Sequence, residues 1–130
     1  MEVLQRDWRG IRRRLLRSMV EYLGGGLPQP YKLRAPQGVY GVLRRATNGD
    51  LALWVLGDVG FKDAAAGRMR QQYVPVAEVE VSIRVPEGRR AKGMRLLRSA
   101  QAISFRDDDG YAVGTIPTLH IAEVVHLELQ

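Results

Sequence analysis

Glu78 and Glu80 are the first residues whose spacing suggests chemistry. They stand two apart in the run Val74–Val85. In an extended strand such residues share a face, roughly 6–7 Å apart. Two carboxylates at that separation are compatible with acid/base work on a glycosidic bond. The same stretch has a plainer reading. Val79, Val81, Ile83 and Val85 alternate with Glu78, Glu80, Ser82 and Arg84, and a strand with one buried and one wet face explains both carboxylates without catalysis. Asp107, Asp108 and Asp109 precede Gly110. Three acids there suggest a hard-cation site, but the ligand spacing of a calcium loop is absent and a hairpin turn accounts for them.

The chain has two histidines, His120 and His126, and no cysteine. Thiolate zinc sites, disulfides and a cysteine nucleophile are therefore excluded. No HExxH, Gly-x-Ser-x-Gly or Ser/His/Asp signature occurs, so both imidazoles read as structural or surface groups. The run Gly24-Gly25-Gly26 follows a helix instead of opening one, which excludes a phosphate loop. No cofactor or metal is expected.

The formal charge of +6 raises nucleic acid as a partner. Its distribution argues otherwise. Residues 1–26 hold six Arg against three acids, and the remaining 104 residues hold 14 basic against 11 acidic side chains. The excess concentrates only in one segment, where Arg9, Arg12, Arg13 and Arg17 form a candidate basic patch. A solvated helix face is the simpler account of it.

That segment is read as an amphipathic helix over residues 7–23, with Asp7 as N-cap. Trp8, Ile11, Leu15, Met19 and Leu23 recur at helical spacing and are the candidate interface residues. Leu16, Val20 and Tyr22 widen the stripe, and the glycines with Pro28 and Pro30 stop it. Residues 27–38 read as a linker.

From residue 39 the pattern changes to short strands separated by turns. Strands are expected at Val39–Arg45, Leu51–Leu56, Val74–Val85, Lys92–Arg98, Ala102–Phe105, Tyr111–Ile116 and Glu123–Leu129. The sequence Thr47-Asn48-Gly49-Asp50 predicts a two-residue hairpin turn that brings Leu53 and Val55 near Val42. Residues 57–72 read as irregular, with a helical turn at Ala64–Ala66. The expected architecture is a mainly β, antiparallel sandwich of about seven strands over residues 39–130, preceded by the helix over 1–26. With 130 residues, 45% of them hydrophobic, the chain is large enough for one core. No apolar run approaches the ~18 residues of a membrane span, and no secretory signal is evident, so a cytoplasmic protein without membrane contact is expected.

The run Val79-Glu80-Val81-Ser82-Ile83-Arg84-Val85-Pro86-Glu87-Gly88-Arg89-Arg90 resembles the C-terminal region of large glycoside-hydrolase-like proteins. These proteins have a TIM-barrel catalytic domain, an amidotransferase-like trimerisation domain and a C-terminal β-sandwich. Met94–Arg98, Ile103–Arg106, Gly110–Val113 and Leu119–Val125 are similar to the same region, and Arg14–Gly25 to the helix that ends the preceding domain. In such proteins the catalytic acids belong to the barrel, for which 130 residues leave no room, so the resemblance carries no activity to any residue here. It implies a non-catalytic accessory domain, as a fragment, a natural remnant or a separately encoded subunit, packed against or tethered to a glycosidase-like catalytic chain. A carbohydrate-binding module is the alternative, with Tyr40, Trp54, Tyr73 and Tyr111 as candidate stacking residues, and nucleic-acid binding ranks below both. The apolar helix stripe needs a cover, either the chain's own sandwich reached by folding back or a second chain, and a homo-oligomer, most simply a dimer, is expected.

Overall fold

A computed structural model of the chain describes residues 2–62 and 70–130. The helical turn expected at Ala64–Ala66 lies outside the described residues. Helix α1 spans Glu2–Leu23, five residues longer at its start than the cap at Asp7 suggested. Glu2, Leu4, Gln5 and Arg6 are good helix formers with no breaker among them, so the helix runs back through Asp7. It ends as expected: Gly24 N–H still donates to the Val20 carbonyl, and Gly25 and Gly26 turn left-handed at φ +58° and +76°.

Among the described residues eleven strands follow: β1 (Tyr31–Arg34), β2 (Val39–Arg45), β3 (Leu51–Gly57), β4 (Gly60–Lys62), β5 (Arg70–Tyr73), β6 (Val76–Arg84), β7 (Ala91–Leu96), β8 (Gln101–Ile103), β9 (Phe105–Asp108), β10 (Tyr111–Leu119) and β11 (Ala122–Leu129). Two antiparallel sheets face each other across one core. Sheet A has the order β1-β6-β10-β9 and sheet B the order β2-β3-β11-β7-β8; β4 and β5 form a small separate ribbon. The mainly β, antiparallel expectation is therefore met, with more strands than the seven foreseen.

The core follows the period-2 pattern. Val79, Val81 and Ile83 of β6 face Leu51, Leu53 and Val55 of β3 and Val125, Leu127 and Leu129 of β11, all buried. β1 lies within the stretch expected to be linker. Tyr31 pairs with Ile83 and Leu33 with Val81, while the Tyr31 hydroxyl donates to the Gly41 carbonyl of β2 and ties the two sheets at one edge. Gly41 has no room for a side chain, since a Cβ there would lie 2.8 Å from the Tyr31 ring and 3.0 Å from Leu33.

Two turns differ from expectation in an informative way. The β2–β3 hairpin forms, with Leu43 opposite Leu53 and Val42 opposite Trp54. Its loop holds three residues rather than two: Gly49 N–H donates to the Ala46 carbonyl, Ala46 N–H donates to the Asp50 carbonyl, and Gly49 alone takes positive φ, at +91°. That is a type I turn closed by a glycine bulge. The two-residue turn with both central residues at positive φ occurs instead at Asp109-Gly110, at +47° and +82°. Asp107 and Asp108 belong to β9, where they pair with Ala112 and Tyr111. The single strand expected over Ala102–Phe105 is two strands in different sheets. Ser104 is the crossover, because β8 pairs with β7 in sheet B and β9 with β10 in sheet A.

Candidate functional site

The carboxylate pair sits on the outer face of sheet A, in a shallow depression with Arg34, Ala35 and Thr115. Glu80 is half-buried and meets the Arg106 guanidinium at 3.6 Å. Glu78 is exposed and takes φ +55°. The register of Ile116 with Val79 and Thr118 with Ala77 places Glu78 opposite Pro117. Pro117 has no N–H to give, so the ladder is interrupted there and Glu78 is free to leave the extended region. One carboxylate is thus engaged by a cation and the other stands on an irregular, open surface.

His126 meets a partner that is 76 residues away in sequence. Its Nε2 lies 3.0 Å from Oδ2 of Asp50, which is 5% exposed. Asp50 Oδ1 accepts the Leu129 N–H at 3.0 Å, and Oδ2 accepts from the Asn48 side-chain amide at 3.0 Å. The Leu129 N–H is the main influence holding the Asp50 carboxyl below its ordinary range; burial opposes it, and His126 and Asn48 add to it. The arrangement pins the β2–β3 loop to the end of β11. A depressed folded pKa contributes stability above the unfolded value near ~4, and that stability is lost as pH falls through the folded value. The melting temperature should therefore drop more steeply on acidification below about pH 5 in the native chain than in Asp50→Asn. Parallel melting curves across that window would contradict this role for Asp50.

A second surface lies where Arg17 of α1 approaches Pro28, Lys32, Arg84 and Tyr111. The Lys32 ammonium sits 4.5 Å and the Arg84 guanidinium 5.8 Å from the Tyr111 ring centroid. Tyr111 is buried and its hydroxyl donates to the Gln29 carbonyl. The long basic side chains cover the ring, so Tyr111 is not a stacking surface. Of the other aromatic candidates, Tyr40, Trp54 and Tyr73 are exposed.

Along α1, every side chain from Ile11 to Leu23 is exposed. Ile11, Leu15, Met19 and Leu23 are 52–78% exposed, so the stripe has no cover among the described residues. The side chains of Trp8 and Arg9 fall outside those described. Arg12, Arg13 and Arg17 stand on the same exposed helix, and Arg17 Nε pairs with Glu21 at 3.0 Å.

The outer face of sheet B brings together two of the candidate stacking residues, Tyr40 and Trp54, with apolar neighbours that were not foreseen as part of a site. Strand β3 is apolar on both sides: Leu51, Leu53 and Val55 point inward, while Trp54 and Leu56 point outward and are 47% and 43% exposed. Beside them on β2 stand Tyr40, opposite Leu56, and Val42, opposite Trp54. Val124 of β11 lies on the other side of Trp54, and Leu97 N–H donates to its carbonyl at 2.9 Å. An exposed apolar surface thus crosses four neighbouring chain segments, with Arg44, Arg95 and His126 along one side. Patches of this kind mark interaction surfaces.

Among the described residues, no group of His, Cys, Asp or Glu is placed to hold a metal ion, and no helix is long and apolar enough to cross a membrane. No family model and no curated protein matches the chain. Among solved structures the chain is similar to alpha-L-fucosidase isoenzyme 2 from Paenibacillus thiaminolyticus, with a TM-score of 0.71 and 20% identity. The likeness covers 85% of this chain and 17% of that one. At this identity the likeness is one of fold, and it falls on a small part of a much longer glycosidase chain.

Proposed function

We propose that the chain is a non-catalytic accessory domain of a glycoside-hydrolase-like protein, cytoplasmic, with a glycosidase-like catalytic unit as its partner. The observation that carries this reading is the correspondence of 85% of the chain with only 17% of a fucosidase. A domain that small a share of an enzyme is more readily a support or positioning element than the seat of its chemistry. The carboxylates support the same reading, because Glu80 is tied to Arg106 on an open sheet surface and Glu78 stands beside it without an enclosing pocket. The expected result is no turnover of aryl glycosides, the α-L-fucoside included, by the purified chain. Hydrolysis that disappears in Glu78→Gln or Glu80→Gln would overturn the proposal.

A second reading, carbohydrate binding, is favoured by one observation: Tyr40 and Trp54 are exposed on the same sheet face. It ranks below the first because their neighbours Val42, Leu56 and Leu97 offer sugar hydroxyls nothing to bond. Titration of Trp54 fluorescence with oligosaccharides tests it.

A further inference from the structure

We infer that the outer face of sheet B is the seat for helix α1 of a second copy of this chain, giving a reciprocal dimer. Two independent observations meet here. The first is a sheet whose strand β3 is apolar on both faces, a pattern that belongs to strands covered on both sides. Trp54, Val42, Tyr40, Leu56 and Leu97 lie open on the uncovered side at 43–56% exposure. The second is a helix in the same chain with an exposed apolar stripe of its own, Ile11, Leu15, Leu16, Met19, Val20 and Leu23 being 52–78% exposed. Among the described residues sheet B has no outer layer and the apolar stripe of α1 has no partner surface. A helix laid on a sheet is one of the few ways either element buries its apolar side.

The sizes agree. Ile11 to Leu23 spans about 18 Å at helical rise. The apolar patch is about 14 Å across its four segments and about 13 Å along the strands. Two such seats in a two-fold dimer bury on the order of 2,000 Å², within the range of stable interfaces. Gly24, Gly25 and Gly26 end the helix, with positive φ at Gly25 and Gly26, and exchange of a terminal element across such a hinge is a common route to dimers. The charges flanking the seat are largely of one sign, Arg13 and Arg17 on the helix and Arg44 and Arg95 beside the sheet. The association is therefore apolar in origin and survives high salt, which separates it from bridging by a contaminating polyanion.

The test is light scattering on the full chain at micromolar concentrations, with and without high salt. The expected mass is twice the 14.6 kDa of one chain. Leu15→Asp on the helix and Trp54→Arg on the sheet each reduce it to one chain; both positions are exposed, so the far-UV spectrum stays native. The chain has no cysteine, which allows a direct readout of contact. Oxidation of a mixture of Met19→Cys and Val42→Cys chains should yield the mixed disulfide-linked pair in excess over either like pair. Three results overturn the inference: a single-chain mass at all concentrations, a dimer lost in Leu15→Asp but retained in Trp54→Arg, which is helix on helix, and a disulfide formed within one chain in the double variant, which is the helix folding back on its own sheet.

Discussion

Replacing Leu53 by alanine should lower the stability of the sandwich by about 3–4 kcal/mol, the cost of removing a large side chain from a site that cannot collapse. Leu53 is fully buried and central in sheet B, opposite Leu43 on one side and Val125 on the other. The backbone of β3 is held by β2 and β11, so the cavity stays open. For a domain of this size the melting temperature should fall by roughly 10–20 °C, a large share of a typical 5–15 kcal/mol. Thr115→Ala, on the exposed outer face of sheet A, is the control and should stay within about 0.5 kcal/mol. Thermal and urea unfolding followed by far-UV circular dichroism measure both. Equal effects at the two positions would mean that the core does not lie where sheets A and B meet.

The parts of the fold that alternation specifies were legible. Val79, Val81 and Ile83 in β6 and Val125, Leu127 and Leu129 in β11 declare their inward face by period alone, and all six are buried. The hairpin at Asn48-Gly49 was legible because glycine is needed at positive φ, though the loop is one residue longer than the dipeptide suggested. Strand β1 was not legible. Four residues after Pro30 are too short to show a period, and their partner in β6 lies some fifty positions on, so only the tertiary pairing makes them a strand. β8 and β9 were fused for the opposite reason. Ile103 and Phe105 keep a period of two, yet both pack toward one core from different sheets.

The surfaces were legible in part. The stripe on α1 follows from helical spacing, and its exposure in the folded chain could not be read from sequence. The brace between Asp50 and His126 joins residues that no local pattern connects. The outer face of sheet B did leave a signal, because Leu51–Leu56 carries an apolar residue at every position. An alternating reading assigns Leu51, Leu53 and Val55 to the core, offers Trp54 only as a stacking residue and passes over Leu56. A strand apolar in both phases asks for a second cover, and that question leads to the seat for α1.

Glu123→Ala should cost about 2–3 kcal/mol, because it removes the acceptor that several backbone amides share. Glu123 is 6% exposed at the start of β11. Its Oε1 accepts the N–H of Arg98 at 2.8 Å and of Val124 at 2.9 Å, and its Oε2 accepts the N–H of Ser99 at 3.3 Å. These bonds close the turn between β7 and β8, where Ala100 sits at φ +53°. β8 is an edge strand paired, among the described strands, with β7 alone, so the turn governs how firmly it stays in sheet B before the chain crosses at Ser104. The geometry ranks the substitutions. Glu123→Gln keeps a carbonyl oxygen for the two shorter bonds but turns an amide donor toward the Ser99 N–H, so it should cost less than Glu123→Ala and more than nothing. Hydrogen exchange supplies the local readout: Arg98 and Val124 amides should lose protection in the alanine variant and keep most of it in the glutamine variant, while Ser99 loses it in both. If the glutamine variant matches the alanine variant in stability and exchange, the two strong bonds are not what holds the turn, and the role assigned to Glu123 is wrong.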